Sequence, residues 1–160
     1  VQAALTWLIG SLNSRGWNEI KLAGPPILFA LIMALLLSRQ LNLLGLGDEL
    51  SVGLGNSLFR SRCLIGASAT LLAASSVSVG GLIGFVGLIV PHAVRFLFGT
   101  DYRIVLPFSA LLGAFTLSAA DLIARSGSIE LPVGIITSLI GAPIFIFLLY
   151  RRQKTMTSLQ

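Results

Sequence analysis

The stretch GFVGLIVPHAVRFLFGTDYR, residues 84–103, runs apolar for most of its length and sets Pro91 and the chain's only histidine, His92, four and three residues ahead of Arg95. In a water-soluble enzyme, a lone histidine beside a glycine-rich stretch invites a catalytic reading. In a lipid-embedded helix the same letters describe a bent segment that reaches water at Arg95. Composition decides between the two. Of 160 residues, 55% are hydrophobic and 11% charged, and the mean hydropathy is +0.93. Soluble domains carry roughly 25% charged residues. So few charges cannot cover a water-facing surface, and the balance fits an all-α polytopic membrane protein. The formal charge of +5 comes from residues placed between apolar runs, with no basic cluster interleaved with aromatics. It reads as an orientation signal and not as a nucleic-acid face.

Apolar runs occur at about 2–12, 23–38, 58–80, 82–98, 104–124 and 132–150. Crossing a hydrocarbon core about 30 Å thick takes about 20 helical residues. The pattern predicts about five full transmembrane helices and a short first one. VQAALTWLIGSL has no charged leader before it, so the chain is expected to be a fragment already in progress. The second run is expected to start at Pro25-Pro26, because proline suits the first helical turn. A tight turn at Gly80-Gly81 is expected between the third and fourth. No period-two alternation supports a barrel.

If the runs alternate in direction, Arg39, Arg60, Arg62, Arg95, Arg103, Arg151, Arg152 and Lys154 lie on one side, and Arg15, Lys21 and Arg125 on the other. Eight cations against three put 39–57, the 95–103 turn and the tail from 151 in the cytoplasm. Residues 13–22, the 80–81 turn and 125–131 then face outside.

Motifs for chemistry are missing. There is no GxxxxGK[ST], GxSxG, HExxH or CxxC, and the single cysteine, Cys63, reads as an apolar filler. Asp48-Glu49 are adjacent and so do not face each other on a helix. Asp121 and Arg125 form the one opposite-charge i,i+4 pair inside an apolar run. No catalytic residue, metal site or bound cofactor is expected. The glycines carry more information. Gly80, Gly81, Gly84 and Gly87 recur at short steps and are read as a close helix-packing surface. Pro91 should bend or end its helix near Val90. His92 is then read as hydrogen-bonding the carbonyls that Pro91 frees, in preference to a proton relay, since no acid lies nearby in sequence. Gly141 and Pro143 should bend the last helix.

Residues 41–57, LNLLGLGDELSVGLGNS, are unlike the other loops: too long for a turn, too short and polar to span. Glycines at 45, 47, 53 and 55 bound Asp48-Glu49-Leu50-Ser51-Val52, where acids sit early as a helix dipole favours. Two stubby helices joined by glycine would make a compact knob. Leu43, Leu44, Leu46, Leu50 and Leu54 would make it a docking surface.

Four stretches together, GLIGFVGLIVPHAVRFLFGTDYRIVLPFSALLGA (81–114), ADLIAR (120–125), ELPVGIITSLIGAPIFIFLL (130–149) and LNLLGLGDELSVGLG (41–55), resemble the FecCD-type permease family over nearly the whole chain. Those permeases are membrane subunits of ABC importers for iron–siderophore complexes, haem and cobalamin. The resemblance implies that residues 1–160 are the C-terminal half of such a permease, in the cell (inner or plasma) membrane, paired with a second permease subunit as a homodimer or heterodimer. A cytoplasmic ATPase, which carries ATP and Mg, and a periplasmic or lipid-anchored substrate-binding protein are the further partners implied. By the same resemblance Leu46, Gly47, Asp48, Glu49, Leu50, Ser51, Gly53 and Gly55 belong to the ATPase-coupling loop, Arg125 meets a glutamate of the binding protein, and 132–149 lines the pathway. A chain without the family's first helices suggests a second reading: a truncated, non-transporting remnant or membrane scaffold.

Overall fold

The computed structural model describes residues 10–12, 16–126 and 131–157, with side chains as far as 146. Most of the 2–12 run, Arg15, residues 127–130, and the side chains of Arg151, Arg152 and Lys154 lie outside that description. Every regular element among the described residues is a helix, with no strand. Among the described residues seven helices follow one another: α1 (Trp17–Leu36), α2 (Ser38–Gly45), α3 (Asp48–Gly53), α4 (Leu58–Gly80), α5 (Val86–Phe98), α6 (Tyr102–Arg125) and α7 (Val133–Thr157).

Three of them, α1, α4 and α6, are long and apolar enough to cross a membrane. Their surfaces suit lipid. Leu22, Phe59, Phe115 and Leu122 are each more than 70% exposed, which water would penalise and hydrocarbon does not. Helices are the natural solution there, since every backbone polar group must be satisfied within the segment.

Two expectations about helix starts and ends are corrected. The α1 helix begins at Trp17, so Pro25 and Pro26 lie inside it, and Lys21 belongs to the helix and not to a loop. The start is set instead by Glu19, whose Oε2 accepts from the N–H of Gly16 at 2.8 Å and whose charge complements the helix dipole. In the fourth run the helix covers only Val86–Phe98, 13 residues, or about 20 Å at 1.5 Å per residue. The chain leaves α4 at Gly81 (φ +70°) and remains non-helical to Phe85. The break therefore falls ahead of the expected position, and α5 runs unbroken through Pro91. The only backbone partner Pro91 removes is for one carbonyl a turn earlier. In α7, too, Gly141 and Pro143 sit within a helix that continues.

Packing divides the helices into two bodies. The α1 and α4 helices form the most extensive pairing. Their buried residues are small: Ala23, Ala30 and Ala34 on α1, and Ser61, Ser68, Ser75 and Gly80 on α4. Small side chains let backbones approach where burial from water supplies no drive. The seven-residue steps of the serines hold one seam facing the partner. In the second body, α5 packs on α6 through Val90, Val94 and Val105, with Val86 and Leu112 against them, and Phe98 lies 4.6 Å from Phe108 between ring centroids. The α6–α7 contact is built from Ala120, Ala124, Val133 and Ile136. Between the bodies α4 makes almost no contact with α5, α6 or α7, and α1 touches α6 modestly.

Candidate functional site

The knob forms as two short helices. Gly47, with φ +99° and ψ +159°, joins them in a conformation essentially reserved for glycine, so the Leu46-Gly47 corner is written into the residue type. Asp48 and Glu49 open α3 where its dipole favours acids. Leu46, Leu50, Val52 and Leu54 are each exposed by more than half, whereas Leu43 and Leu44 are half-buried. Ser51 is 0% exposed. It faces inward and supports α3, so it does not belong to an outer surface.

Two hydrogen-bonded ties hold the knob. The first joins α3 to α4. Asn56 Nδ2 donates to Ser51 Oγ (2.9 Å) and Ser61 Oγ donates to Asn56 Oδ1 (2.6 Å). Nearby, Arg62 Nη2 donates to both oxygens of Asp48, at 2.7 and 2.9 Å. The second tie joins α2 to the α5–α6 turn. Asn42 Nδ2 donates to Asp101 Oδ1 at 2.7 Å, and Asn42 Oδ1 accepts from the N–H of Tyr102 at 2.9 Å. Asp101 is itself the N-cap of α6, and its Oδ1 also accepts from the N–H of Arg103 at 2.9 Å. The Arg103 N–H first, and the Asn42 amide second, hold the Asp101 carboxyl below its ordinary value of 3.8. Arg95 closes the group: its Nη2 donates to Tyr102 Oη at 3.0 Å while its guanidinium lies 5.1 Å from the ring centroid.

These bonds gather Arg62, Arg95 and Arg103 at one end of the bundle, with Arg39 close by at the start of α2, a grouping expected if the runs alternate in direction. At the opposite end the N–H of Ser11 donates to the Gly80 carbonyl (3.0 Å) and the N–H of Gly134 to the Gly10 carbonyl (3.1 Å). Arg125 is there too, with Nε 2.9 Å from Asp121 Oδ2 and half its side chain exposed.

That far end is hollow. A cavity of about 1310 Å³ opens between the bodies, with Ile27, Val77 and Gly80 on one wall and Gly134, Ser138 and Ala142 on the other. The non-helical residues 81–84 line it as well. Irregular backbone at membrane depth is tolerated where it is buried in protein or borders a watery space.

Several of the expected packing residues take other roles. Gly80 ends α4, Gly81 and Gly84 lie in the non-helical link, and Gly87 starts α5, so they share no helical face. A side chain on Gly87 would meet nothing within 4 Å, but one on Gly141 would strike Phe85, whose Cγ lies 2.8 Å from the Cβ position. Close approach is thus the task of Gly141. Phe85 itself sits at φ +66°, a conformation that costs a non-glycine residue about 1–3 kcal/mol, and its ring meets Phe145 edge-on at 6.4 Å. His92 is exposed on α5 and makes no hydrogen bond with the described residues; the expected bond to freed carbonyls is not formed. No group of three or more metal-ligating side chains exists among the described residues.

Sequence reasoning missed both ties. Asp101 ahead of Tyr-Arg is a legible N-cap, and Ser61, Ser68 and Ser75 repeat every seven residues. Nothing local pairs Asn42 with a residue 59 positions away.

Comparison with known proteins agrees with the geometry. The FecCD transport family matches residues 1–151. The chain is 44% identical over 153 residues to the cobalamin import system permease protein BtuC of Halobacterium salinarum, covering 96% of this chain and 42% of that protein. It is 46% identical over 151 residues to the Fe(3+)-citrate import system permease protein YfmE of Bacillus subtilis, covering 93% and 45%. Among solved structures, one described as an inward-facing conformation of a metal-chelate type ABC transporter superposes with a TM-score of 0.84 at 36% identity, covering 94% of this chain and 49% of the other. The chain therefore spans less than half the length of the relatives it matches. With a match over nearly all its residues, the chain belongs to the FecCD transport family.

Proposed function

We propose that this chain is part of the permease subunit of an ABC importer for iron–siderophore complexes or related chelates, haem and cobalamin included. ATP and Mg are bound, and ATP hydrolysed, on a partner ATPase. In this reading the permease does no bond chemistry: it supplies a lever at one end and a pathway wall at the other. The knob carries the argument. It is a rigid, glycine-bounded helix pair with an apolar rim, tied to both bodies, at the end where the cations collect. By the positive-inside rule that end, with residues 41–57 and the tail, is cytoplasmic in the inner membrane. An ATPase cleft can grip the rim formed by Leu46, Leu50 and Leu54, with Asp48 and Glu49 at its edge.

In the same reading α1, α4, α5 with its non-helical approach, α6 and α7 make five crossings. The α7 helix and the link at 81–85 border the pathway. Arg125, at the outer mouth, exchanges its Asp121 partner for an acidic group of a periplasmic or lipid-anchored binding protein. A second permease subunit completes the translocation channel.

The test uses the complete permease with its ATPase and binding protein in proteoliposomes. Ferric citrate, a ferric hydroxamate, haemin and cobalamin are offered separately. Wild type is expected to take up one of them with ATP. Deleting Gly47–Gly55 should abolish uptake while the ATPase continues to hydrolyse. Undiminished uptake by the deletion variant sinks the coupling role.

A further inference from the structure

Two bodies that barely touch need something to keep their ends in register. At the far end the cavity separates them, and the backbone of residues 10–12 bridges its rim from Gly80 to Gly134. At the knob end α2 spans them: Leu37 alone separates it from α1, and Asn42 fastens it to the first residues of α6. A carboxamide is the group that can do this. Its N–H meets an acceptor, Asp101 Oδ1, while its oxygen meets a donor, the Tyr102 N–H, one residue further on. Tyr102 and Arg103 supply two of the N–H groups that every helix start leaves without an intrahelical partner. The N-terminus of α6 is thus capped from two sides, by its own Asp101 and by an asparagine from the knob. The hydrogen bond of Arg95 to Tyr102, with its guanidinium over the ring, extends the same fixture to the last turn of α5.

Resting on the importer reading, we propose that Asn42 is a positioning residue that straps the α5–α6 hairpin to the knob, so that a displacement imposed on α2 and α3 is delivered to both bodies together. Motion of one body against the other then develops at the hollow end, where Phe85 and the non-helical link are the pliable elements.

The hydrogen-bond pattern supplies its own control. In Asn42→Asp, the donor is lost and two carboxylates face each other. In Asp101→Asn, the amide oxygen still accepts from Asn42 and Arg103, so the strap persists. In the double exchange, Asn42→Asp with Asp101→Asn, the amide at 101 donates to the carboxylate at 42, whose other oxygen accepts from Tyr102, so both bonds of the strap return, and only the local cap bond from the Arg103 N–H, which shares Asp101 Oδ1 with Asn42, is given up. A purely structural defect in packing would not be repaired by this swap.

The first readout, in the complete importer, is chelate taken up per ATP hydrolysed. Asn42→Asp should lower it about tenfold, the scale of losing hydrogen bonds to a charged group. Asp101→Asn and the double exchange should remain within about twofold of wild type, as near-neutral exchanges do. The second readout needs no cargo. Spin labels at Leu64 on α4 and Leu111 on α6, in a Cys63→Ser background, report the knob-end separation of the bodies. The distribution should be narrow in wild type, broad in Asn42→Asp, and narrow again in the double exchange. Identical distributions in wild type and Asn42→Asp, or a defect that the double exchange does not repair, overturn the strap. A wild-type complex that takes up none of the four chelates would instead sink the importer reading, and the spin-label result would still decide the strap.

Discussion

The knob end of the bundle is cross-tied by directional side-chain bonds, whereas the far end is held by apolar contact around a void and by two backbone hydrogen bonds through residues 10–12. At the knob, Asn42, Asn56, Ser51, Ser61 and Asp101 satisfy one another at 2.6 to 2.9 Å. At the cavity end, Phe85 is wedged at positive φ against α7, and the link 81–85 has few backbone partners. Directional bonds fix register and tolerate little displacement, while apolar surfaces separated by empty space can slide or open. The difference suits the proposed division of labour, in which one end receives force and the other changes shape.

The strongest way to break the comparison is at Gly141. Gly141→Leu places carbon atoms where the Phe85 ring now sits, and overpacking of this kind costs about 1–3 kcal/mol. Thermal unfolding of the purified permease in detergent should drop accordingly, and Phe85→Ala should recover part of the loss. No drop would show that the far end has slack even at its tightest point. Next is the small-residue seam. Ser68→Leu forces α1 and α4 apart and is expected to cost about as much, about 1–3 kcal/mol, with no effect on the α5–α6 pair. Hydrogen exchange should reveal loosening confined to α1 and α4; loosening spread evenly over all helices would refute the two-body division.

Smaller effects sharpen the functional contrast between the ends. Arg125→Glu should weaken capture of the binding protein about tenfold, the scale of reversing one interfacial charge, with ATP hydrolysis in its absence unchanged. Equal affinity in a pull-down titration would remove Arg125 from the outer contact. The smallest effect concerns pH. Asp101 has a folded value below its ordinary 3.8, so its contribution is complete above the unfolded value and is lost as pH falls through the folded one. Between about pH 6 and pH 8 the knob should keep its stability, since carboxylates there are fully ionised. A wild-type unfolding temperature that falls over that range, and does not fall in Asp101→Asn, would contradict the bond pattern.

Much of this molecule follows from local chemistry. Long apolar runs with cations at their ends specify membrane helices, because lipid leaves backbone groups no other partner. The glycines at 47 and 53, with acids between them, specify the short α3, since Gly47 adopts a backbone angle other residues resist. Prolines were misleading. Local reasoning assigns Pro25 a helix start and Pro91 a helix end, but each loses only one hydrogen bond, and the Glu19 cap and the α5–α6 valine packing keep those helices intact across them.

Residue order alone thus established the family, the helical membrane class and the knob, since composition, periodicity and turn chemistry act over a few neighbours at a time. Only the tertiary structure decided that Gly141 and not Gly87 admits a close neighbour, that Ser51 faces inward, and that Asn42 meets Asp101. Those depend on which surfaces meet, in the case of Asn42 across some sixty residues of chain, and a donor and an acceptor that far apart carry no mark of each other until packing brings them together.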